Sequence, residues 1–481
     1  MSLYRSLRHL LSVALAVLLV VALPASADEG EFAIPEIEHW ETEVGVPVYF
    51  VRSAALPIID VAVTFDAGSA RECDQAGLAR VTANLLDQGA AGLDAGEIAR
   101  RLEDQGARLS VNAGREQAVV SLRSLAEEEA LEAALAVLDD VLAAPDFPED
   151  ALARERQRRL VALRGERQSA SAMAWRTLFE TLYPGHPYAR APSGTEEGIR
   201  AIARADVQAF HADHYTTGNA QIALVGDLTR EQAEALAERL SRALPVGDPA
   251  PPLPAVPRVP ARTVEVAFPG TQTRILMGHP AIARGDEDLL ALSVADHILG
   301  GSGLVSRIFQ AMREERGLSY SSHSGLAPMR KAGPVVLGSQ VRADRTGEAL
   351  EVLDEELRAY LADGPDDEEM DRALRYLAGS FPLELESNRQ LLSAIADIGF
   401  YGLPLDQLES YLLRLEALDR ERVHRVLRER IDPDRMVTVL VGPPEEEVDD
   451  EALEEPPPGE PGAPYERDHV GPGGGAGEAA P

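Results

Sequence analysis

Two octets decide the fold: Ala220-Gln-Ile-Ala-Leu-Val-Gly-Asp227 and Met436-Val-Thr-Val-Leu-Val-Gly-Pro443. Each is a short apolar run closed by glycine, the signature of a buried strand ending in a turn. They stand about 216 residues apart. The helical pattern opening at Gly77 and the one near Leu289 are about 212 apart. Similar offsets at two separate places argue for a duplicated unit. Within each unit, strand-like and helix-like segments occur in the same order. Val46–Arg52 and Ile58–Phe65 read as strands, as do Thr263–Phe268 and Arg274–Gly278. A hairpin is expected next in the first unit, Arg108–Ala113 and Ala118–Arg123; the second has strands at Ser319–Leu326 and Val335–Val341. Long helical patterns then precede each closing octet, including Leu125–Leu142, Asp150–Gln168 and Ala172–Tyr183 in the first and Gly347–Leu361, Glu368–Leu385 and Gln390–Tyr401 in the second. Val305–Glu315 reads as one helix. The expected class is α+β, with two homologous half-domains.

Between the units lies Pro245–Pro260, with seven prolines in sixteen residues. Such a run stays extended and semi-rigid. The organisation expected is a signal peptide at 1–27, a first half-domain at 28–244, a linker at 245–262, a second half-domain at 263–443 and a tail at 444–481. Arg5 and Arg8, the apolar Leu10–Leu23 and the Ala25-Ser26-Ala27 site make up an export signal, with Asp28 as the mature start. The apolar run is short for a membrane span, so no stable membrane insertion is expected after cleavage. Residues 28–43 read as a lead-in arm. The tail is acidic and rich in Pro and Gly, a composition too poor in apolar surface to fold.

The chain has 481 residues and a formal net charge of −34. That charge argues against nucleic acid or an anionic membrane as partner. Lys331 is the single lysine. Cys73 is the single cysteine, so no intrachain disulfide forms, and its acidic neighbours Glu72 and Asp74 disfavour a thiolate. No nucleophile elbow or phosphate loop is present.

The candidate site is the amphipathic helix within Gly77-Leu-Ala-Arg-Val-Thr-Ala-Asn-Leu-Leu-Asp-Gln-Gly89. Leu78, Val81, Leu85 and Leu86 mark its buried face. Arg80, Ala83 and Asn84 fall at i, i+3 and i+4. A zinc-protease helix of the form His-x-x-Glu-His would place two metal ligands and a general base there.

The chain resembles the M16 metallopeptidases, the pitrilysin and insulinase group, above all the M16B type related to mitochondrial processing peptidase. The residues that carry the likeness span nearly the whole mature chain. They are Asp66-Ala-Gly-Ser69, Gly77-Leu-Ala, Asn84-Leu-Leu, His186-Pro-Tyr188 with Gly194-Thr195, Phe210-His-x-x-His-Tyr215 and Asn219 through Asp227. In the second unit they are Leu299-Gly-Gly-Ser-Gly303, Ser306-Arg307 and Arg313-Glu-Glu-Arg-Gly-Leu-Ser-Tyr320. The resemblance implies a LuxS/MPP-like metallohydrolase fold, each half a mainly antiparallel sheet packed with helices, pairing with two further halves around a peptide-holding chamber.

It also implies what is missing. Arg80, Ala83 and Asn84 stand where the family has His, Glu and His, and Glu155 matches the third ligand. One carboxylate and one amide cannot hold zinc, and the Arg80 guanidinium repels a cation. No cofactor is expected in this chain. Arg313 and Tyr320 match the pair that the family's second half sends to the zinc site. Tyr can donate to an oxyanion and Arg can grip a carbonyl. The expectation is a zinc-lacking subunit of a periplasmic peptidase, with zinc in a partner M16 chain that keeps His-x-x-Glu-His and with peptide as substrate. The alternative is a catalytically dead peptide-binding or envelope scaffold protein with no peptidase partner. A hydrolase using a relocated metal is the third reading. His211 and His214, at i and i+3, are expected to pack. His186-Pro-Tyr is expected to be a structural loop. His279, His297 and His323 are scattered without ligand spacing, and Gly300, Gly301 and Gly303 are expected to form a turn before a helix.

Overall fold

The computed structural model describes residues 34–73 and 75–444. The expected export signal at 1–27 and nearly all of the acidic tail lie outside these residues.

Alternating and continuous apolar runs form the strands. In chain order they are β1 (Glu38–Glu41), β2 (Pro47–Arg52), β3 (Ile58–Phe65), β4 (Gly89–Ala90), β5 (Leu93–Asp94), β6 (Arg108–Ala113), β7 (Ala118–Leu125) and β8 (Ala220–Gly226) in the first unit. The second unit has β9 (Arg262–Ala267), β10 (Gln272–Ile282), β11 (Ser322–Leu326), β12 (Gly333–Arg342) and β13 (Val437–Gly442). The first sheet runs β1-β2-β8-β3-β7-β6, and the second, read from its other edge, β9-β13-β10-β12-β11. Apart from β1, the orders are the same. In each, one edge pair is parallel, β2 with β8 and β9 with β13, and the remaining pairs of that shared order are antiparallel. β4 and β5 form a separate small hairpin. The fold is thus α+β with two equivalent sheets.

The helices used below are α1 (Leu78–Leu85), α2 (Ala95–Glu103), α3 (Glu128–Ala143), α4 (Glu149–Glu166), α5 (Ala170–Leu182), α6 (Arg204–His214), α7 (Arg230–Ala243), α8 (Leu289–Asp296), α9 (Thr346–Asp363), α10 (Asp367–Ser380), α11 (Asn388–Tyr401) and α12 (Arg420–Arg430). Caps fix many starts: Asp94, Thr229, Asp366 and Ser387 each close a capping box. One core gathers Val61, Leu85, Leu138 and Leu224 with α1 to α4. A second gathers Ile275, Leu353, Tyr360 and Val426 with α8 to α10 and α12.

Two helices cross over. α5, from the first unit, packs on β10 and β13 of the second sheet, and α11, from the second unit, packs on β8, β3 and β2 of the first. A third core holds the first crossing, with Leu178, Leu182 and Tyr183 against Leu276, Val437 and Val439. Each such fully buried leucine contributes about 1.5–3 kcal/mol. Cover on both faces explains why every residue of β8 is buried and why its sequence is continuously apolar. Gly399 of α11 is required by this crossing, because a Cβ there would overlap Gln221 and Tyr49.

A buried polar node also joins the two units. Glu116 accepts from Tyr188 Oη (2.5 Å), Tyr401 Oη (3.0 Å) and the Arg330 backbone (3.0 Å). Burial pushes its carboxyl pKa up against those hydrogen bonds. The Lys331 amide donates to Tyr188 Oη (2.9 Å). Beside the node, burial lowers the Arg115 guanidinium to about 10, and its charge lies 3.9 Å over the Phe179 ring.

The proline segment is extended, as its composition implies, and it is strapped to the body. Its carbonyls accept from Thr217 (2.9 Å) and from Arg71 Nη1 (2.6 Å), while His186 Nε2 lies 3.1 Å from Pro254 O. Two of its own side chains, Leu253 and Val259, are buried.

Several local expectations need correction. The lead-in arm contains β1, whose Trp40 lies under the Arg230 guanidinium at 3.7 Å. The Val305–Glu315 helix is broken: a 3-10 turn at Gly303–Val305, one α-turn at Arg307–Phe309 and a π-helical run at Gln310–Glu315. The turn before it, His297–Gly301, is also π-helical. Gly300 is needed there, because a Cβ would overlap the Ser324 backbone. The strand expected from Ser319 begins only at Ser322, and the helix expected to reach Leu385 ends at Ser380, before a 3-10 turn.

Candidate functional site

α1 begins at Gly77, whose φ of 100° suits glycine. The Glu72 carboxylate caps this start, accepting from Gly77 N (3.0 Å) and Ala79 N (2.9 Å). Burial raises the Glu72 pKa to about 7, against the lowering effect of those two bonds. Leu78, Val81, Leu85 and Leu86 point into the first core, as their spacing implies.

The three substituted positions have distinct fates. Arg80 is half-buried and donates from Nε to Ala113 O on β6 at 3.1 Å. Ala83 is wholly buried. Asn84 reaches α4, where its Nδ2 donates to Glu155 Oε1 at 2.7 Å. The structure therefore brings Asn84 and Glu155 together although they are 71 residues apart. Glu155 is fully buried. Its oxygens also accept from Arg158 Nε and Arg159 Nε, each at 2.6 Å. The i+3 and i+4 spacing of those arginines on α4 was the available sequence signal for this pairing.

These residues do not fit a zinc ion. The one carboxylate is saturated by two guanidiniums and an amide, and zinc needs several deprotonated donors. Among the described residues no group of three or more His, Cys, Asp and Glu side chains is placed to hold a metal.

The histidines are held in other ways. His211 stacks on Tyr215 at 5.0 Å, and burial lowers its pKa to about 4. His214 lies 4.4 Å from the Phe210 ring. His279 Nε2 accepts from the Asp432 amide (3.0 Å), and His297 stacks on Tyr376 (4.9 Å). Burial also brings His323 to about 4. His186 Nδ1 accepts from Tyr188 N at 3.1 Å, so the His186-Pro-Tyr loop is a packed turn.

Arg313 and Tyr320 come together in the second unit. The Arg313 guanidinium lies 5.1 Å from the Tyr320 ring and 5.2 Å from the Phe309 ring. Its Nε lies 3.8 Å from the Glu314 carboxylate. Tyr320 does not pack into the sheet: it precedes β11 and is 84% exposed. Met312 and Leu318 anchor the segment in the second core. An anchored backbone thus presents an exposed phenol beside a guanidinium. The π-helical run that carries Arg313 is a rare form found often at functional sites.

Residues 50–196 match the family model for insulinase, peptidase family M16, and residues 201–377 match that of the peptidase M16 inactive domain. A solved peptidase M16 inactive domain from Pseudomonas fluorescens is 36% identical, with a TM-score of 0.83, over 85% of this chain and 98% of that one. A Helicobacter pylori protein named non-peptidase homolog YmxG is 25% identical over 84% of this chain and 94% of its own length. A Bacillus subtilis protein named uncharacterized zinc protease YmxG is 21% identical over 84% and 98%. With both family models matched in sequence order and a solved relative spanned almost end to end, the chain belongs to the M16 peptidase family, in a form that carries no His-x-x-Glu-His segment.

Proposed function

We propose that this chain is the zinc-lacking subunit of a periplasmic M16B-type peptidase. It forms half of a peptide-holding chamber and donates Arg313 and Tyr320 to the zinc site of a partner M16 chain that keeps His-x-x-Glu-His. The observation that carries this reading is the exposed Tyr320 beside Arg313 in a chain whose other site is closed to metal. In that role Tyr320 Oη donates to the oxyanion forming on the peptide carbonyl, and Arg313 holds a neighbouring peptide carbonyl. The export signal supports a periplasmic location. Among the described residues no helix is long and apolar enough to cross a membrane.

The test is cleavage of a quenched peptide by the purified complex with an M16 partner bearing the intact motif. Tyr320→Phe is expected to lower kcat by about 10²–10³, the loss typical of one oxyanion donor. Full activity after Tyr320→Phe and Arg313→Ala sinks the donation. The name of the Helicobacter pylori relative favours a second reading, a catalytically dead peptide-binding or envelope scaffold protein with no peptidase partner. Peptide binding without cleavage in any M16 pairing supports it.

A further inference from the structure

Tyr320 stands on a two-residue excursion of an otherwise buried segment. Leu318, Ser319 and Ser322 are buried, whereas Tyr320 and Ser321 are exposed. An exposed side chain has little packing of its own to aim it, so its direction depends on the backbone beneath.

That backbone is tied on both sides. On the Arg313 side, Gly317, at φ 61°, donates its amide to Arg313 O at 3.0 Å, and the Leu318 amide donates to Met312 O at 2.7 Å. Ser319 comes next. Its hydroxyl donates to Gln340 O of β12 at 2.9 Å and accepts from Ser321 N at 3.1 Å. A serine hydroxyl that accepts from the amide two residues on closes a tight turn, and the residue enclosed here is Tyr320. On the far side the Ser322 and Ser339 hydroxyls lie 2.8 Å apart, joining β11 to β12 again. Tyr320 is thus carried between two serines bound to adjacent residues of one strand, Ser339 and Gln340.

The core does not need the Ser319 hydroxyl. Leu318, beside it, packs in the second core. Ser321 is exposed, so water can serve its amide if the hydroxyl is removed. What the hydroxyl adds is direction. It completes a line of bonds from the π-helical run bearing Arg313, through the turn bearing Tyr320, to β12. An oxyanion donor must stand about 2.7–3.1 Å from the atom it stabilises. A misplacement of about 1 Å costs about 10²-fold in rate.

We infer that Ser319 is a positioning residue for Tyr320: its hydroxyl closes the turn that holds the phenol beside Arg313. The inference rests on the donation by Tyr320 in the proposed function, and it adds a residue that acts without touching the peptide.

Ser319→Ala removes both bonds and leaves the volume nearly unchanged. In the peptidase complex it is expected to lower kcat about tenfold or more with KM within about twofold, because a transition-state donor is displaced and peptide binding is not. In a Tyr320→Phe chain the same substitution is expected to lower kcat less than about twofold, since no donor remains to be aimed. In the chain alone, Ser321 is expected to lose about fivefold or more of its amide exchange protection, with β6 unchanged and the thermal midpoint within about 3 °C of wild type. If Ser319→Ala lowers the midpoint further, Ser319→Cys, of similar volume and weaker hydrogen bonding, is read on the same terms. Near-normal kcat beside a slow Tyr320→Phe overturns the inference and spares the donation. Equal losses with and without the Tyr320 hydroxyl show a general structural role and overturn it too, as does unchanged protection at Ser321. Full activity after Tyr320→Phe refutes the donation itself, and this role with it.

Discussion

Restoring His, Glu and His at positions 80, 83 and 84 is expected not to restore a zinc site. Ala83 is wholly buried in the first core. Ala83→Glu forces a larger side chain into closed packing, at a cost of about 1–3 kcal/mol. It also buries a polar group with no partner provided for it, which costs about 1–3 kcal/mol more. The sum, about 2–6 kcal/mol, is a large share of the 5–15 kcal/mol typical of a folded domain. Arg80→His removes the bond to Ala113 O, worth about 0.5–1.5 kcal/mol. Asn84→His leaves Glu155 still held by Arg158 and Arg159. Urea unfolding of Ala83→Glu should show the destabilisation, and metal analysis of the triple variant should find well under one zinc per chain. Adding Arg158→Gln and Arg159→Gln frees Glu155 and should raise zinc occupancy above that of the triple variant. An Ala83→Glu protein within about 0.5 kcal/mol of wild type, together with a triple variant carrying one zinc per chain, would falsify the reasoning.

Glu72 gives a pH test. Its pKa is about 7 in the fold against an ordinary 4.5, so between those values the folded chain keeps a proton that the unfolded chain has released. Stability should therefore fall as pH rises from 4.5 to 7, by up to about 3 kcal/mol, and Glu72→Gln should flatten that slope in denaturant midpoints. Gly300→Ala drives a Cβ into the Ser324 backbone and should cost about 1–3 kcal/mol, with larger losses of amide protection in β11 than in β6. Tyr188→Phe removes one donor from Glu116 and the acceptor of the Lys331 amide, and should cost about 1–3 kcal/mol by thermal or urea unfolding.

Much of the fold was legible because the paired octets are now β8 and β13, central strands with the same neighbours in each sheet. The meeting of Asn84 with Glu155, 71 residues on, agrees with the resemblance, which had set both positions at one site. The crossing of α5 and α11 was not legible. An apolar helix face carries no record of which sheet it will cover, and Leu178 or Ile395 would read the same on either one. The only hint was the lack of polar alternation in Ala220–Gly226. The Glu116 node was hidden because its partners, Tyr188, Arg330 and Tyr401, come from distant loops and helix ends. The break near Ser306 was missed because π-helical turns keep a nearly helical apolar rhythm.

The crossed helices make the chain an interlocked object. Each sheet's second covering layer is supplied by the other unit, so neither unit expressed alone would be complete, and a single proteolytic nick within 245–260 would leave two fragments clasped together. Such a chain has little capacity to hinge between its own halves. If it encloses peptides with a partner, admission and release fall to the joint between the two proteins. The rate at which that joint parts, more than any bending of this subunit, would then limit how fast peptides turn over.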